Sequence, residues 1–499
     1  MAYHRRKFLK AAAAGAGLGA LSAPLRAIQC GPLKVAKPKE LLIDVHCHIF
    51  NADDLPVRGF ANHILWRTTG RGELDVRNWL SQSLDWLGQL SAPGIRTETR
   101  VLEAILAEKE GMYDRYCRIE HPHGGILASA SNFRLHNALA MMELYPETDL
   151  FVPAMVDLGE HLRDRSPVTP RQQIDLMEYI FVITGGRFHG YVSFDPLRQA
   201  RYDTLRGRNS REAPLSPLIM VKRAILEQGF IGVKLYPPMG FRPIGNHELL
   251  DCKKEVHEDH IKLYDGILAE LFDWCVSEEV PVITHCNDSN FADVHHSKGS
   301  HCNKLGTPGQ WAELLKKNPH YRGKLKVDLG HFGRADLHTG TRLKLAEAQE
   351  LDSPLAKDLA NAHQHNKEEA EEFHKALLAY PDSLFADLSN YDTLDSDKLR
   401  KGFLEDMKPL MTPEDGLRKQ LMYGTDWFMT AQGADPYLRN TRTALPPSMY
   451  PDFYGRNAVR FLGLAAGGKP RQRLETFYRK WNLPKPDWMD RVDGVTPAA

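Results

Sequence analysis

The hydrophobic and polar positions of the chain alternate between two kinds of segment from residue 41 onward. Short runs rich in Val, Ile, Leu and Phe mostly end in polar residues, Gly or Pro, which is typical of buried parallel strands that lead into loops. Amphipathic stretches such as 217–228 and 261–276 lie between the runs and predict helices. Eight alternating units predict an α/β fold, a (β/α)8 TIM barrel, with a doubly wound sheet as the alternative. The eight predicted strands are 41–48, 150–157, 189–196, 230–238, 280–288, 325–333, 384–391 and 421–428.

Two connections are longer than a simple helical crossover between parallel strands. Residues 51–148 separate the first two predicted strands, and residues 334–383 precede the seventh. Both predict helical insertions, after strands 1 and 6, and connections of this length in compact domains usually cover a site or contact a partner. We therefore assign residues 41–470 to one barrel domain and residues 471–499 to a polar C-terminal tail on its outside.

The first 30 residues have the pattern of an export signal. Arg5 and Arg6 are followed by Phe8 and Leu9, and residues 11–25 form an uncharged stretch rich in Ala and Gly. This arrangement resembles a twin-arginine signal peptide, although His4 stands where Ser or Thr is usual. Residues 1–30 are therefore expected to direct the protein to the periplasm or outside the cell. The alternative is the basic start of an ordinary helix.

The charge balance excludes one class of partner. Lys+Arg and Asp+Glu both total 64 among 499 residues, so the zero formal charge predicts no general attraction to nucleic acid or anionic membranes. Beyond the N-terminus, no apolar run approaches the roughly 18 residues of a membrane span. The seven cysteines are scattered without a CxxC pair and predict no disulfide framework. A small-molecule substrate is the remaining expectation, and the oligomeric state is not predicted.

The first predicted strand ends in two histidines with strand spacing. His46 and His48 are two residues apart, so they point to the same face of the strand, while Cys47 points to the other. Two adjacent imidazoles can begin a site for Zn²⁺ or a similar ion. A chance or purely structural pair is the alternative for this motif by itself.

Three further strand ends carry residues of the same chemistry. His285 ends the fifth predicted strand, His331 ends the sixth, and Asp426 ends the eighth. Barrel enzymes carry their active sites at the C-terminal ends of the strands. Each residue alone is compatible with a core histidine or a capping aspartate, but the set predicts a metal-dependent active site.

These motifs resemble the amidohydrolase superfamily, and in particular its amidohydrolase-related branch, which includes aminocarboxymuconate-semialdehyde decarboxylase and γ-resorcylate decarboxylase. The similarity extends from about residue 41 to residue 464, and neither insertion matches the family. The segments that carry it are DVHCHIF at 44–50, GVKLYPP at 232–238, VITHC at 282–286, LGHFG at 329–333, YGTDW at 423–427 and NAVRFLGL at 457–464.

The resemblance implies a role for each candidate. His46, His48, His285 and Asp426 become the metal ligands, and Asp426 can also orient water. His331 then lies beside the metal as a general acid/base or as a ligand of a second ion. Three imidazoles and one carboxylate suit Zn²⁺ best and also accept Mn²⁺, Co²⁺ or Fe²⁺.

Two basic residues are further candidates. Lys234, on the fourth predicted strand, is expected either to bind an anionic substrate or, if carboxylated, to bridge two metals as in phosphotriesterase-like relatives. We favour the first role, because the rest of the chain resembles the one-metal branch. Arg242 is a candidate for binding a substrate carboxylate, as are Arg187 and His189. The histidines at 295, 296 and 301 with the cysteine at 302 are expected to be solvated rather than a second metal cluster.

The sequence thus leads to one preferred function and two alternatives. The preferred function is hydrolysis of an amide, ester or lactone-type bond by metal-activated water, with His331 moving the proton. The first alternative is non-oxidative decarboxylation of an unsaturated or aromatic carboxylic acid on the same scaffold. The second is an exported binding protein whose metal is structural.

Overall fold

Eight parallel strands follow one another along the chain, each connected to the next by helical structure. The computed structural model describes residues 30, 37–60, 92–117, 129–162, 164–207, 213–252, 258–286, 304–334, 336–351, 353–389, 394, 396–411, 416–427 and 435–495. The strands are β1 (Ile43–Cys47), β2 (Leu150–Pro153), β3 (Tyr191–Ser193), β4 (Gly232–Leu235), β5 (Val282–His285), β6 (Val327–Gly330), β7 (Leu384–Asp387) and β8 (Leu421–Met422).

The strands pair in the order in which they occur in the chain. The strands β3 to β8 form one six-stranded parallel sheet, and β1 pairs in parallel with β2. Two isolated bridges, Phe151 with Phe188 and Ala154 with Tyr191, link β2 to the β3 segment. At the other seam, Val45 N donates to Tyr423 O at 3.0 Å, which joins β1 to the β8 segment. The predicted (β/α)8 barrel is confirmed, with these two seams held by single bridges and hydrogen bonds instead of a continuous ladder.

The helices of the described residues surround the strands and also occur in both insertions. None of them is both long and apolar enough to cross a membrane. They are α1 (Val57–Phe60), α2 (Ile95–Leu106), α3 (Met112–Cys117), α4 (Arg134–Leu144), α5 (Pro170–Ile183), α6 (Pro196–Arg206), α7 (Pro217–Glu227), α8 (Glu258–Glu278), α9 (Pro308–Lys317), α10 (Asp336–Glu350), α11 (Ala356–Ala379), α12 (Asp397–Met407), α13 (Asp435–Ala444), α14 (Asn457–Leu462), α15 (Lys469–Trp481) and α16 (Asp487–Val495).

A buried ion cluster fixes the first insertion to the end of β1. Arg134 on α4 donates through Nε and Nη2 to the two carboxylate oxygens of Asp54, at 2.5 and 2.8 Å. Its Nη1 donates to Glu98 on α2 at 2.6 Å. All three side chains are buried, and burial raises the pKa of Glu98 despite the guanidinium beside it. A charge in this environment is stable only while it is paired, so the cluster ties both helices to the residues that follow β1.

The second insertion is a pair of helices, α10 and α11, before β7. The buried face of α11 carries Ala370, Phe373, Ala376 and Leu377. The Phe373 ring packs edge-to-face on Phe332, at 4.8 Å between ring centroids, directly after β6. The insertion is therefore packed against the C-terminal end of a barrel strand.

Helices α15 (Lys469–Trp481) and α16 (Asp487–Val495) contribute apolar side chains to the core. Tyr478 and Trp488 are buried, and Trp488 Nε1 donates to the Gly186 carbonyl at 2.9 Å. The Tyr478 hydroxyl lies 2.5 Å from His189 Nε2. Both contacts are with residues that precede β3, so this part of the chain covers the N-terminal end of the barrel.

A disulfide joins the N-terminal segment to the first insertion. Cys30 and Cys117 are bonded although 87 residues separate them in sequence. Cys30 is fully buried, and its N–H donates to Ile183 O at 3.0 Å. Cys47, Cys275 and Cys286 are buried thiols. Of the residues assigned to the export signal, 1–30, Cys30 is described and 1–29 lie outside the described residues, as do 61–91 in the first insertion.

Replacing Arg134 with Ala is expected to lower the free energy of unfolding by about 3–5 kcal/mol, because Asp54 and Glu98 would remain buried without their counter-ion. Urea denaturation followed by circular dichroism measures this. Arg100 is an exposed arginine on α2, and its replacement with Ala should change stability by less than about 0.5 kcal/mol. Equal effects of the two substitutions would contradict the assigned role of the cluster.

Candidate metal centre

The histidine pair of β1 lies at the end of the strand, as the alternation predicts. The His46 and His48 rings are 5.5 Å apart between centroids, and Cys47 between them is buried in the core. His48 Nδ1 is 2.9 Å from the Ala154 carbonyl oxygen. A carbonyl only accepts, so Nδ1 donates its hydrogen there, and Nε2 is the nitrogen left to interact within the site. His48 therefore presents Nε2 to the site.

Asp426 faces both histidines from the segment after β8. Its Oδ1 lies 3.1 Å from His48 Nε2 and 3.9 Å from His46 Nε2. The backbone of Asp426 has a left-handed φ of 53°, and its N–H donates to the His46 carbonyl at 2.7 Å. Burial alone would raise the pKa of Asp426, but the hydrogen bond with His48 and the neighbouring histidines outweigh it and lower the pKa to about 2. The carboxylate is therefore ionised and ready to bind a cation.

His331 completes a group of possible ligand atoms. It follows β6 directly, and its own φ of 62° is left-handed. One donor atom each from His46, His331 and Asp426 lie within 4.8 Å of one another, and all three side chains are buried. The His331 ring is 4.8 Å from the His46 ring between centroids. Strained backbone of this kind concentrates at functional sites.

His285 lies next to this group. Its Nδ1 is 3.1 Å from His331 Nε2, and its ring stacks on Tyr236 at 4.5 Å between centroids. The structure thus connects all five residues predicted at the strand ends. His46, His331 and Asp426 form the compact group, His48 contacts Asp426, and His285 contacts His331. The sequence had made His285 a ligand and placed His331 beside the metal, whereas the geometry brings His331 into the compact group.

Lys234 points from β4 into the same site. Its Nζ is 3.4 Å from His46 Nε2. Burial lowers the pKa of Lys234 to about 8, although Asp387 and Asp426 act in the opposite direction. The inward orientation agrees with either predicted role, a cation for an anionic substrate or a carboxylated bridge.

The other predicted basic residues have different partners. Arg242, in the loop after β4, donates through Nη1 to Glu248 at 2.6 Å. Arg187 donates to the Thr148 carbonyl at 2.5 Å, and His189 contacts Gly229 and Tyr478. Arg187 and His189 precede β3 and therefore lie at the end of the barrel opposite the histidines, where they cannot bind the substrate of this site. The residues at 295, 296, 301 and 302 are outside the described residues.

Two residues of β7 and its end contact the site, and the sequence had assigned them no role. Asp387 Oδ2 lies 2.9 Å from His46 Nδ1. Ser389 Oγ is 3.0 Å from His46 Nδ1 and 3.0 Å from His331 Nδ1. Burial would raise the pKa of Asp387, but pairing with His46 holds it below the usual range of a carboxyl group. One feature of the sequence could have indicated this role: an aspartate and a serine stand two residues apart at the end of the seventh predicted strand.

Asp44 is a second residue without a predicted role. Its Oδ2 accepts from Thr425 Oγ1 at 2.7 Å, and its Oδ1 accepts from the N–H groups of Thr425 and His46, at 3.1 and 3.2 Å. The two bonds with Thr425 cross the seam between β1 and the segment after β8. Burial outweighs them and raises the pKa of Asp44 to about 7.

The donor set fits a divalent cation. Imidazole nitrogens and one ionised carboxylate converge in a buried site, which suits Zn²⁺ and also Mn²⁺, Co²⁺ or Fe²⁺. None of the groups that converge here is a thiolate.

Comparisons with known proteins add little to this assignment. No family model matches the chain, and no curated protein is significantly similar to it. The uncharacterized TIM-barrel protein Bb4693 from Bordetella bronchiseptica is 12% identical, with a TM-score of 0.41, over 85% of this chain and 98% of its own. The putative 2-pyrone-4,6-dicarboxylic acid hydrolase from Pseudomonas putida is 11% identical, with a TM-score of 0.39, over the same shares of the two chains. The 5-carboxyvanillate decarboxylase LigW from Sphingomonas paucimobilis is 16% identical, with a TM-score of 0.36, over 65% of this chain and 82% of its own. At these values the assignment rests on the residues of this chain.

Replacing His46 and His48 together with Ala is expected to remove bound metal and activity while leaving the barrel folded, because the variant loses two of the converging imidazoles. Elemental analysis of protein purified without added metal measures the loss. The matched control replaces His320 and His365, whose side chains are 60% and 64% exposed, and should retain the metal. A full equivalent of tightly bound metal in the His46/His48 variant would show that the assignment is wrong.

Proposed function

We propose that this chain is a metal-dependent enzyme of the amidohydrolase type that acts on a small molecule at the C-terminal end of its barrel. The observation that carries the proposal is the convergence of His46, His331 and Asp426 from the ends of β1, β6 and β8. Residues so distant in sequence meet only because the strands are arranged in a ring. The predicted alternative of a structural metal is less well supported, because structural zinc sites are usually closed and often contain cysteines.

The position of each residue in the site indicates whether it would bind the ion or move a proton. His46, His48 and Asp426 are the groups that would hold the ion, and His331 lies beside them. A bound divalent ion polarises a substrate oxygen and makes water more acidic, to a pKa of roughly 7. His331 Nε2 and His285 Nδ1, 3.1 Å apart, provide a place to hold and pass a proton. Asp426, ionised and facing His48, can accept a hydrogen bond from the attacking water.

Lys234 indicates the charge of the substrate. Its amine is buried and lies 3.4 Å from His46 Nε2, beside the place where the substrate reacts. A buried ammonium is stabilised by an anion, so we propose that the substrate carries a carboxylate or develops negative charge at this point. A carboxylated Lys234 that bridges two metals remains the second candidate for this residue.

The preferred reaction is hydrolysis. Water gives a proton to His331 as it adds to the carbonyl carbon of an amide, ester or lactone-type bond, the C–N or C–O bond breaks, and the leaving atom takes that proton from His331. In the alternative reaction, decarboxylation, the C–C bond to the carboxylate breaks, its electron pair stays on the substrate carbon, and His331 protonates that carbon as CO₂ leaves. Both reactions require one proton from the same position.

A substrate screen with wild-type protein distinguishes these reactions. Lactones, esters and amides are tested for acid release, and aromatic and unsaturated acids are tested for CO₂ release. His331→Ala should lower turnover of the active substrate by roughly 10²- to 10⁴-fold, because it removes the proton donor. His189→Ala removes a buried imidazole at the opposite end of the barrel and should retain turnover per folded molecule.

The screen has three informative outcomes. Acid release supports hydrolysis. CO₂ release without acid release replaces hydrolysis with decarboxylation. Tight binding of metal and small molecules without any turnover would identify a binding protein and contradict the proposal.

We also propose that the protein is exported by the twin-arginine route. The pattern of Arg5 and Arg6 before an uncharged apolar stretch supports this. The disulfide between Cys30 and Cys117 supports it as well, because such bonds persist mainly in oxidising compartments.

Replacing Arg5 and Arg6 with Lys is expected to keep the protein in the cytoplasm with Cys30 and Cys117 reduced. Cell fractionation and thiol labelling report location and oxidation together. Replacing Lys7 and Lys10 with Arg keeps the paired arginines and serves as the control. Appearance of the Lys variant outside the cytoplasm at the wild-type level would exclude this route.

A further inference from the structure

We propose that Asp387 and Ser389, from β7 and its end, are positioning residues that hold His46 and His331 in one arrangement for metal binding. The proposal rests on the metal-dependent function proposed above and extends it to a strand whose residues had no assigned role. Neither side chain belongs to the compact group of ligand atoms. Both contact the histidines of this group on the side away from the candidate ion site.

The contact between Asp387 and His46 decides which nitrogen faces the site. Asp387 Oδ2 lies 2.9 Å from His46 Nδ1, and both side chains are fully buried. An ionised carboxylate only accepts, so His46 Nδ1 carries the hydrogen and Nε2 keeps its lone pair. Nε2 is the atom that faces Asp426 and Lys234. A carboxylate behind a histidine in this way fixes the orientation of the ring and increases its basicity toward a metal.

The same carboxylate supports the backbone of the second histidine. Asp387 Oδ1 accepts from the N–H of His331 at 3.2 Å and from the N–H of Ser389 at 2.9 Å. His331 has a left-handed φ, which is costly for a residue other than glycine. The bond from Asp387 offsets part of this cost, so one carboxylate acts on the His46 ring and on the His331 backbone.

Ser389 joins the two rings directly. Its hydroxyl oxygen is 3.0 Å from Nδ1 of His46 and 3.0 Å from Nδ1 of His331. Its carbonyl oxygen is 3.3 Å from the same nitrogen of His331. Because the carbonyl only accepts, the hydrogen of His331 is favoured on Nδ1, and Nε2 is left to face the site. Both histidines are therefore held by their Nδ1 atoms and present their Nε2 atoms.

Close packing prevents the His46 ring from turning away. A Cβ atom on Gly330 would lie 3.2 Å from His46 Cε1, and one on Gly424 would lie 2.9 Å from His46 Cβ. Gly330 and Gly424 thus form the walls of a narrow slot for this side chain. A ring confined in this way has one orientation, and Asp387 sets its protonation within it.

The test is the affinity for Co²⁺, measured by titration of metal-free protein, together with the Co²⁺ absorption spectrum. Asp387→Asn keeps the shape of the side chain but places an N–H donor against either His46 Nδ1 or the backbone N–H groups. It should weaken binding by roughly 10- to 100-fold and alter the spectrum, because the His46 ring loses its acceptor. Ser389→Ala removes the hydroxyl shared by both rings and should act in the same direction, so it decides the question if the Asp387 variant does not fold.

A matched control is available at β3. His161 Nε2 and Asp195 Oδ1 form another buried His–Asp pair, at 3.0 Å, that is separate from the candidate ligands. Asp195→Asn should leave Co²⁺ affinity and spectrum unchanged, and circular dichroism verifies that each variant is folded. Wild-type protein that takes up no Co²⁺ would refute the metal-dependent function itself. Wild-type protein that binds Co²⁺, with both β7 variants equal to it in affinity and spectrum, would overturn this inference alone.

Discussion

The candidate site depends on the seam at which the last strand meets the first. The His46 carbonyl accepts from the N–H groups of Thr425 and Asp426, at 3.0 and 2.7 Å. Asp44 adds side-chain bonds to Thr425 across the same seam. These bonds bring Asp426 against a histidine that lies 380 positions earlier in the chain. The seam is joined by these hydrogen bonds and not by a continuous strand ladder. The polar residues of the site therefore also join the first and last strands of the barrel. As a result, the site and the fold stabilise each other.

Burial of so many ionisable groups is possible because they compensate one another. The charges of Asp387, Asp426 and Asp328 counteract the lowering of the pKa of Lys234 by burial. Asp387 in turn is held below its usual pKa range by His46. Each charge is therefore stable only in the presence of the others. Such mutual dependence explains why acidic and basic side chains from separate strands are buried as a group in this site and not singly.

The sequence was sufficient to predict the features that follow from local periodicity. Strand alternation placed His46 and His48 on one face, and the barrel topology placed His285, His331 and Asp426 at the same end. Asp387 and Ser389 were not predicted, because their role depends on which side chain of another strand lies behind them. The bond between Cys30 and Cys117 was not predicted either, because the two cysteines are brought together by packing, and their spacing carries no information about it.

The first insertion is connected to the chemistry by a short and rigid path. Asp54 lies six residues after His48, and Arg134 binds both of its carboxylate oxygens. Arg134 also binds Glu98, so two helices of the insertion are fixed relative to the end of β1. A flexible cover would need no such buried cluster, whose formation requires complete pairing of the charges. Helices α2 and α4 are therefore fixed relative to the residues that follow His48.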